Sequence, residues 1–342
     1  MPQGFHPGRR VLYLSIESTT GTYAGSAIVF AIGNATLPAQ SLKFAPAVDF
    51  TERRPDSNSA QKNRSVPGAQ KATVTFSSRW ITGASKGVPG ALSPLLKTAM
   101  KETVVATTST AYTWDENTQT RLSVGWGTIR DDGTIEVQHA IAGAGLQKLV
   151  LKADDKGKPV MADWTLIGKV AYESAVVVAL DDSTPQAGSI VYVDDYTKGF
   201  TFAGLTVRSG LLSRSISKFE LDISQKSDLG TDVGDPSGYD WMHAGLCDVT
   251  LKADAAKTTV AGAPDLANLI AGATASAAMT ITNAAGNTFV LTLPNLQPTK
   301  LSEGSRDGGN VSTWDIEADA VKTNNGSAAV ASDAFTLLFG GA

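Results

Sequence analysis

The apolar and polar positions of this chain alternate in short runs, and the order of the runs repeats. Residues Lys71–Arg79 place Ala72, Val74 and Phe76 on one side and Thr73, Thr75 and Ser77 on the other, the period of a half-buried strand. Similar runs cover Val11–Ser18, Ser26–Ile32, Gln40–Phe44, Val104–Trp114, Arg121–Ile129, Thr134–Ile141, Leu146–Ala153 and Ala162–Tyr172. Turn signals separate several of them: Gly33-Asn34, Asp132-Gly133 and Lys156-Gly157-Lys158. One segment has a different period. Between Pro89 and Met100, Leu92, Leu95, Leu96 and Ala99 recur at helical spacing, and Pro94 marks where a short helix begins. Ala47–Asn63 is polar, carries Pro55 and is expected to be an exposed loop or hairpin.

The second half repeats this plan. Strands are expected at Phe200–Val207, Ser215–Ile223, Cys247–Ala253, Ala278–Thr282, Thr288–Leu293 and Val311–Ala318, with a short helix over Pro264–Ala273 and a polar loop running to Met242. Val249 lies 175 positions after Val74, and Leu269 lies 174 after Leu95, so one register spans both landmarks. Asp181–Gly188 reads as a linker. The pattern predicts a mainly β protein made of two tandem β-sandwich or barrel-like domains, each with a short flanking helix, over residues 1–180 and 189–342. A duplicated module with no shared catalytic residue type points to a building block, since repetition multiplies surfaces more readily than active sites.

Composition narrows the function. The 342 residues leave room for two cores, and 42% hydrophobic with 18% charged content belongs to a folded protein. The 33 glycines fit strands and tight turns. A net charge of −4 without a polybasic tail disfavours strong sequence-independent DNA binding. The single cysteine, Cys247, excludes an internal disulfide and a thiolate zinc cluster, and is expected to pack as a small apolar residue. Residues 1–10 lack an apolar signal segment, and no apolar stretch approaches the roughly 20 residues of a membrane helix. The expectation is a protein made and folded in a cytoplasm, with no membrane partner.

Few residues carry chemistry. Gly83-Ala84-Ser85-Lys86-Gly87 matches the nucleophile-elbow pattern, but Val88-Pro89-Gly90 interrupts any immediate helix and no βαβ alternation surrounds it, so a Gly/Ser loop is expected. His6, His139 and His243 show no metal-ligand spacing. Asp228, Asp232, Asp235 and Asp240 crowd one glycine-rich loop; calcium would want such oxygens, but the spacing is that of a solvated acidic loop. Asp131-Asp132 and Asp154-Asp155 fall where turn chemistry places Asp, and Gly143-Ala144-Gly145 lacks the rest of a dinucleotide fingerprint. No residue is assigned to catalysis, to a cofactor or to a metal. The two long polar loops differ in sign: Thr51–Ser65 carries Glu52, Arg53, Arg54, Asp56, Lys62 and Arg64, net +2, and Ser224–Met242 carries Lys226, Asp228, Asp232, Asp235 and Asp240, net −3. Opposite charge on equivalent loops suits docking between subunits.

In the order of its elements the chain resembles the tail tube proteins of long-tailed bacteriophages, in a duplicated two-domain form. The resemblance rests on Leu12-Tyr13-Leu14-Ser15-Ile16-Glu17-Ser18-Thr19-Thr20-Gly21-Thr22, then a strand, a long loop, Gly68, the strand Ala72–Phe76 and the Pro94-Leu95-Leu96 helix, and it continues through Gly143-Ala144-Gly145 and Trp164–Gly168. The hairpin between Arg121 and Ile141 is longer than the family pattern, and the second unit is only loosely similar. The resemblance implies β-sandwich units whose sheets join side by side around an inner barrel, six units to a ring, so that three copies of a duplicated chain suffice. It implies rings stacked head to tail, tape-measure, tail terminator and distal tail proteins as partners, double-stranded DNA passing through without specific binding, and a place in the virion tail. A carbohydrate-binding or adhesive β-sandwich surface protein is the alternative; glycan binding by a stable monomer would favour it. On the tail tube reading, Arg53, Arg54, Lys62 and Arg64 are expected to face Asp228, Asp232 and Asp235 of an adjoining ring. Reversing the four basic charges is then expected to block polymerisation without unfolding the monomer, and unchanged tubes in electron micrographs would refute that pairing.

Overall fold

In the computed structural model the residues described are 10–17, 20, 36–37, 40–51, 66–82, 87, 89–105, 108–115, 120–129, 135–154, 157–173, 176–177, 199–235, 237–243, 245–257, 269–306, 309, 311–321 and 332–341. The protein is mainly β. Its first strands are β1 (Arg10–Ile16), β2 (Thr36–Leu37), β3 (Gln40–Thr51) and β4 (Val66–Arg79). A short 3-10 turn (Gly90–Leu92) leads into α1 (Ser93–Lys97), which buries Leu95 and Leu96. Then come β5 (Met100–Val105), β6 (Ser109–Trp114), β7 (Leu122–Ile129), β8 (Ile135–Asp154), β9 (Met161–Val170) and the small pair β10 (Tyr172–Glu173) and β11 (Val176–Val177). The second half supplies β12 (Leu205–Gly210), β13 (Ile216–Gln225), β14 (Asp228–Thr231), β15 (Tyr239–His243), β16 (Cys247–Ala256), β17 (Ala275–Thr282), β18 (Asn287–Arg306), β19 (Val311–Ala320) and β20 (Ser332–Gly341).

Eight strands form one antiparallel sheet in the order β3-β4-β9-β8-β13-β16-β19-β18. Two strands of 20 residues, β8 and β18, continue beyond it. The first part of β8 pairs with β7, and β7 with β1; the first part of β18 pairs with β17, and β17 with β12. The strand series β1, β3, β4, β7, β8, β9 therefore recurs as β12, β13, β16, β17, β18, β19, in the same chain order with the same partners.

The bulges fix the equivalence. On β8, Leu122 pairs with Ala144 and Val124 with Ile141; on β18, Ala275 pairs with Leu296 and Ala277 with Leu293. A second bulge leaves out Gln147 between Leu146 and Lys148, and Thr299 between Pro298 and Lys300. Both set β18 152 positions after β8, which is also the distance between the strand starts, Ile135 and Asn287. Bulges re-aim a strand at a defined residue, so matched bulges are a firmer landmark than matched composition. Carried through the pairings Leu146–Leu166–Val74 and Pro298–Ala318–Leu251, this register makes Leu251 the counterpart of Val74, two residues beyond the Val249 that the sequence spacing indicated.

Alternation decides which face is inside. Ala72, Val74, Phe76, Trp164, Leu166, Leu149, Leu151, Phe219, Leu221, Ile223, Val249 and Leu251 are all buried in one cluster beneath the sheet. An aromatic group ties the halves together there. Trp80 meets Phe289 at 5.3 Å and Phe339 at 5.4 Å between ring centres, Phe200 meets Phe289 at 5.8 Å, and Tyr112 meets Phe339 edge-on at 6.0 Å. The C-terminal β20 lies between β18 and β6, so a strand from the chain's end completes a sheet begun in the first half.

Several boundaries differ from the sequence reading. Of the expected loop Ala47–Asn63, residues 47–51 are strand and the rest lie outside the described residues: β3 carries Pro46 at the sheet margin, where a missing donor is tolerated, and starts through a bulge at Ser41, whose φ is +55°. Thr134–Ile141 and Leu146–Ala153 are one strand, because Gly143-Ala144-Gly145 is a bulge and not a break. Gly143 sits at φ +60°, and its N–H donates to Glu17 Oε1 at 2.7 Å; Ser123 Oγ donates to the same oxygen at 3.0 Å. A buried carboxylate thus ties β1 to β7 and β8. The strands expected at Ser26–Ile32, the linker 181–188 that divides 1–180 from 189–342, and most of the helix Pro264–Ala273 lie outside the described residues, with only 269–271 of that last helix seen as helical.

Because Phe339 is fully buried against rings from both halves, Phe339→Ala is expected to cost about 3–5 kcal/mol and to leave one cooperative unfolding transition. Denaturant unfolding followed by tryptophan fluorescence and by circular dichroism checks this; two separated transitions would mean the halves fold independently.

Candidate assembly surface

The outer face of the eight-stranded sheet is polar, and pairing sets charges side by side in rows. One row runs Lys152–Glu220–Lys252–Glu317–Lys300 across β8, β13, β16, β19 and β18. Lys252 Nζ donates to Glu220 Oε1 at 3.0 Å, Lys148 approaches Asp222 at 2.6 Å, and Lys152 pairs with Asp163, which also accepts from Ser77 Oγ at 2.5 Å. Hydrogen bonding to Asp163 and Glu220 holds the Lys152 and Lys252 ammonium groups above their ordinary pKa. A depression of about 290 Å³ on this face is lined by the same alternating groups, among them Lys218, Glu220, Lys252, Lys300 and Glu317.

Both margins of this sheet are open among the described residues. Strand β3 pairs only with β4, and residues 297–306 of β18 pair only with β19. By the equivalence above, β3 corresponds to β13 and β18 to β8. Those counterparts are joined to each other inside the chain, from Lys218 opposite Asp154 to Ser224 opposite Lys148.

A second feature crosses the polar face. The acidic stretch expected as a loop folds into the hairpin β14–β15, with Asp228 opposite His243. It leans over β8 onto β9 and β4. Met242 is fully buried against Gly145, where an added Cβ would fall 2.5 Å from Met242 Cε, and Leu229, Tyr239 and Ile167 close the contact with Ala69. Polar groups fix its register: Gln70 N–H donates to Ser237 O at 2.7 Å, Tyr239 Oη to Asp49 Oδ2 at 2.9 Å, Lys71 Nζ to Asp228 Oδ1 at 3.2 Å and Lys169 Nζ to Asp235 Oδ2 at 2.5 Å. Lys71 also lies 5.5 Å from the Tyr239 ring centre.

These contacts account for the candidate residues of the acidic set. Asp228 and Asp235 are engaged within their own chain, while Asp232 is exposed and accepts the Gly234 N–H at 2.8 Å, as in an Asx turn. Asp240 lies 3.7 Å from His243 Nε2. The four aspartates face separate partners rather than a common centre. The basic set Arg53, Arg54, Lys62 and Arg64, together with Ser85, His6, Asp131 and Asp132, lies outside the described residues, and His139 is seen only as a backbone position in β8. Burial, with Asp248 alongside, pushes the Cys247 thiol up to about 12. What the sequence reading missed is the basic side of the contact, Lys71 and Lys169; the signal was present in their odd-numbered offsets from the core residues of their strands, Ala72, Val74 and Phe76 on β4 and Trp164 and Leu166 on β9, which put both lysines on the opposite face.

No known protein-family model matches this chain, and no match is found among curated proteins.

The hairpin contact has a pH dependence of definite sign. The Leu229 N–H and Lys71 lower the Asp228 pKa from 3.8; for Asp235 burial raises it, but Lys169 and Ser237 outweigh that and the result is also lowered. Carboxylates depressed on folding contribute stability that is full above the unfolded value and lost as pH falls through the folded ones. Amide-exchange protection in 228–243, corrected for intrinsic rates, is therefore expected to hold at pH 7 and to fall by roughly tenfold below about pH 3.5, before the β9 amides lose theirs. Loss of protection on raising pH from 5 to 8 would contradict it.

Proposed function

We propose that this chain is the tail tube subunit of a long-tailed, non-contractile bacteriophage, a structural protein without a catalytic role, whose copies pair side by side into rings that stack as a conduit for double-stranded DNA. The single observation that carries the reading is the in-chain seam between β8 and β13. It joins the counterparts of the two margins left open, β18 and β3, so a neighbouring copy that pairs β18 with β3 repeats a joint the chain has already made. Unpaired strand edges recruit other strands. Contacts of this head-to-tail kind close into a ring when the rotation permits.

Size is compatible with the role. Eight strands about 4.8 Å apart span about 38 Å of arc. Three copies give a circumference of about 115 Å and a backbone diameter of about 37 Å before strand tilt widens it. The polar face lines the hole in this arrangement. Its lysines are matched by carboxylates, as in Lys148–Asp222, Lys152–Asp163 and Lys252–Glu220. Each phosphate neutralised by a free cation adds salt-dependent affinity, so paired cations let a duplex slide. Tape-measure, tail terminator and distal tail proteins belong to the proposal through the resemblance alone.

Negative-stain electron microscopy of the purified protein is the test. Hollow rings or tubes with threefold or pseudo-sixfold end views are expected. A particle that light scattering shows to be monomeric at every concentration up to millimolar would end the reading.

A further inference from the structure

The two halves are equivalent in strand order, yet the surface under the acidic hairpin has a counterpart with different charge. The bulge-anchored equivalence places Lys71 at Asp248, Asp49 at Lys226, Ile167 at Asp319, Lys169 at Val321 and Ala69 at Leu246. In the first half this surface is covered, with Lys169 only 10% exposed and Ala69 beneath Gly238. In the second half Leu246 is 75% exposed, an apolar side chain at the position the hairpin covers elsewhere. Asp248 is exposed and makes a surface pair, 3.2 Å from the more exposed Lys226. Asp319 accepts from Thr250 Oγ1 at 2.7 Å and lies on the same face.

The occupant follows from the covered surface. There an acidic hairpin, the connection between β13 and β16, crosses β8 to reach the lysines of β9 and β4. The equivalent connection between β3 and β4 is residues 52–65, net basic through Arg53, Arg54, Lys62 and Arg64. It leaves β3 at the sheet's open margin, so the strands it would cross belong to the neighbour. Seven extended residues reach about 23 Å, whereas the three strand spacings from β3 to the neighbour's β16 take about 14 Å. We propose that Leu246, Asp248 and Asp319 form a docking platform for residues 52–65 of a second copy of this chain, the basic loop resting on an acidic platform as the acidic hairpin rests on a basic one. The proposal rests on the lateral association proposed above and assigns the basic set a partner within the ring in place of Asp228 and Asp235, which are already engaged.

The test is a charge swap read by sedimentation velocity and light scattering. Asp248→Lys with Asp319→Lys is expected to weaken self-association by tenfold or more at low salt, on the order of 1.4 kcal/mol. Adding Arg53→Glu, Arg54→Glu, Lys62→Glu and Arg64→Glu in the same chain is expected to restore most of it. Asp248→Lys alone, at an exposed position, guards against a folding defect at Asp319 and is expected to show part of the loss with unchanged thermal unfolding. Mixing Leu246→Cys with Ser59→Cys under mild oxidation is expected to give a disulfide-linked dimer. Rings that form normally with Asp248→Lys and Asp319→Lys, or a loss that the loop reversal does not restore, overturn the platform while leaving the tail tube reading intact. A wild-type chain that never associates overturns both.

Discussion

The antiparallel ladder between β8 and β13 is the contact on which the rest of the structure depends. Backbone N–H and C=O groups at a strand margin are strong hydrogen-bonding groups that must find partners or water. Pairing Lys218–Ser224 with Lys148–Asp154 removes two margins at once and turns two four-stranded sheets into one of eight. It also fixes which side chains share a face, since a slip of one residue would send Phe219, Leu221 and Ile223 to the polar side and Glu220 and Asp222 into the core. The burial of those three apolar residues holds the register, and the register holds the charge rows.

Those rows follow from the same geometry. Residues paired across antiparallel strands stand side by side, where opposite charges stabilise and like charges repel. Across β8, β13, β16, β19 and β18 the signs alternate along Lys152, Glu220, Lys252, Glu317 and Lys300. Each such surface pair contributes little on its own. Their collective effect is on the field above the sheet: a face dense in cations presents almost no net positive charge. The near-neutral balance of the whole chain, −4, gives no hint of this, because it is the placement of the charges and not their sum that neutralises them.

Legibility in the sequence tracked the physical origin of each feature. Strands with one buried face, such as β4, β9 and β13, announce themselves through alternation, and α1 through Leu92, Leu95, Leu96 and its proline. The duplication was also visible, though two residues out of register, because an alternation of period two is unchanged by a slip of two residues and only the paired bulges fix the register. Gly143-Ala144-Gly145 read as a break because a glycine-rich bulge inside a strand has the composition of a turn. The hairpin β14–β15 was hidden by its polarity. Its apolar content, Leu229, Tyr239 and Met242, is sparse, and it is held by partners about 70 to 190 positions away, Lys169, Lys71 and Asp49. Nothing local in an acidic, glycine-rich stretch encodes such distant contacts. Strand β20 was missed by the sequence reading although Phe335, Leu337 and Phe339 alternate, and its place beside β6 of the first half has no local signal at all.

A fused duplicate also gains something that identical single units lack. A ring of identical units has one kind of joint, and any unit fits beside any other. Here the joint inside the chain sets an acidic hairpin on Lys71 and Lys169, and the joint proposed between chains sets a basic loop on Asp248 and Asp319. The wrong combinations then carry their own penalty, since an acidic hairpin meets carboxylates at the second platform and a basic loop meets ammonium groups at the first. Discrimination of this kind comes from repulsion in the mismatched pair as much as from attraction in the matched one. On the proposed lateral association, β18 of one copy then has a single favourable neighbour, β3 of the next, so that halves would alternate around the proposed ring and a chain would not pair in place of its own second half.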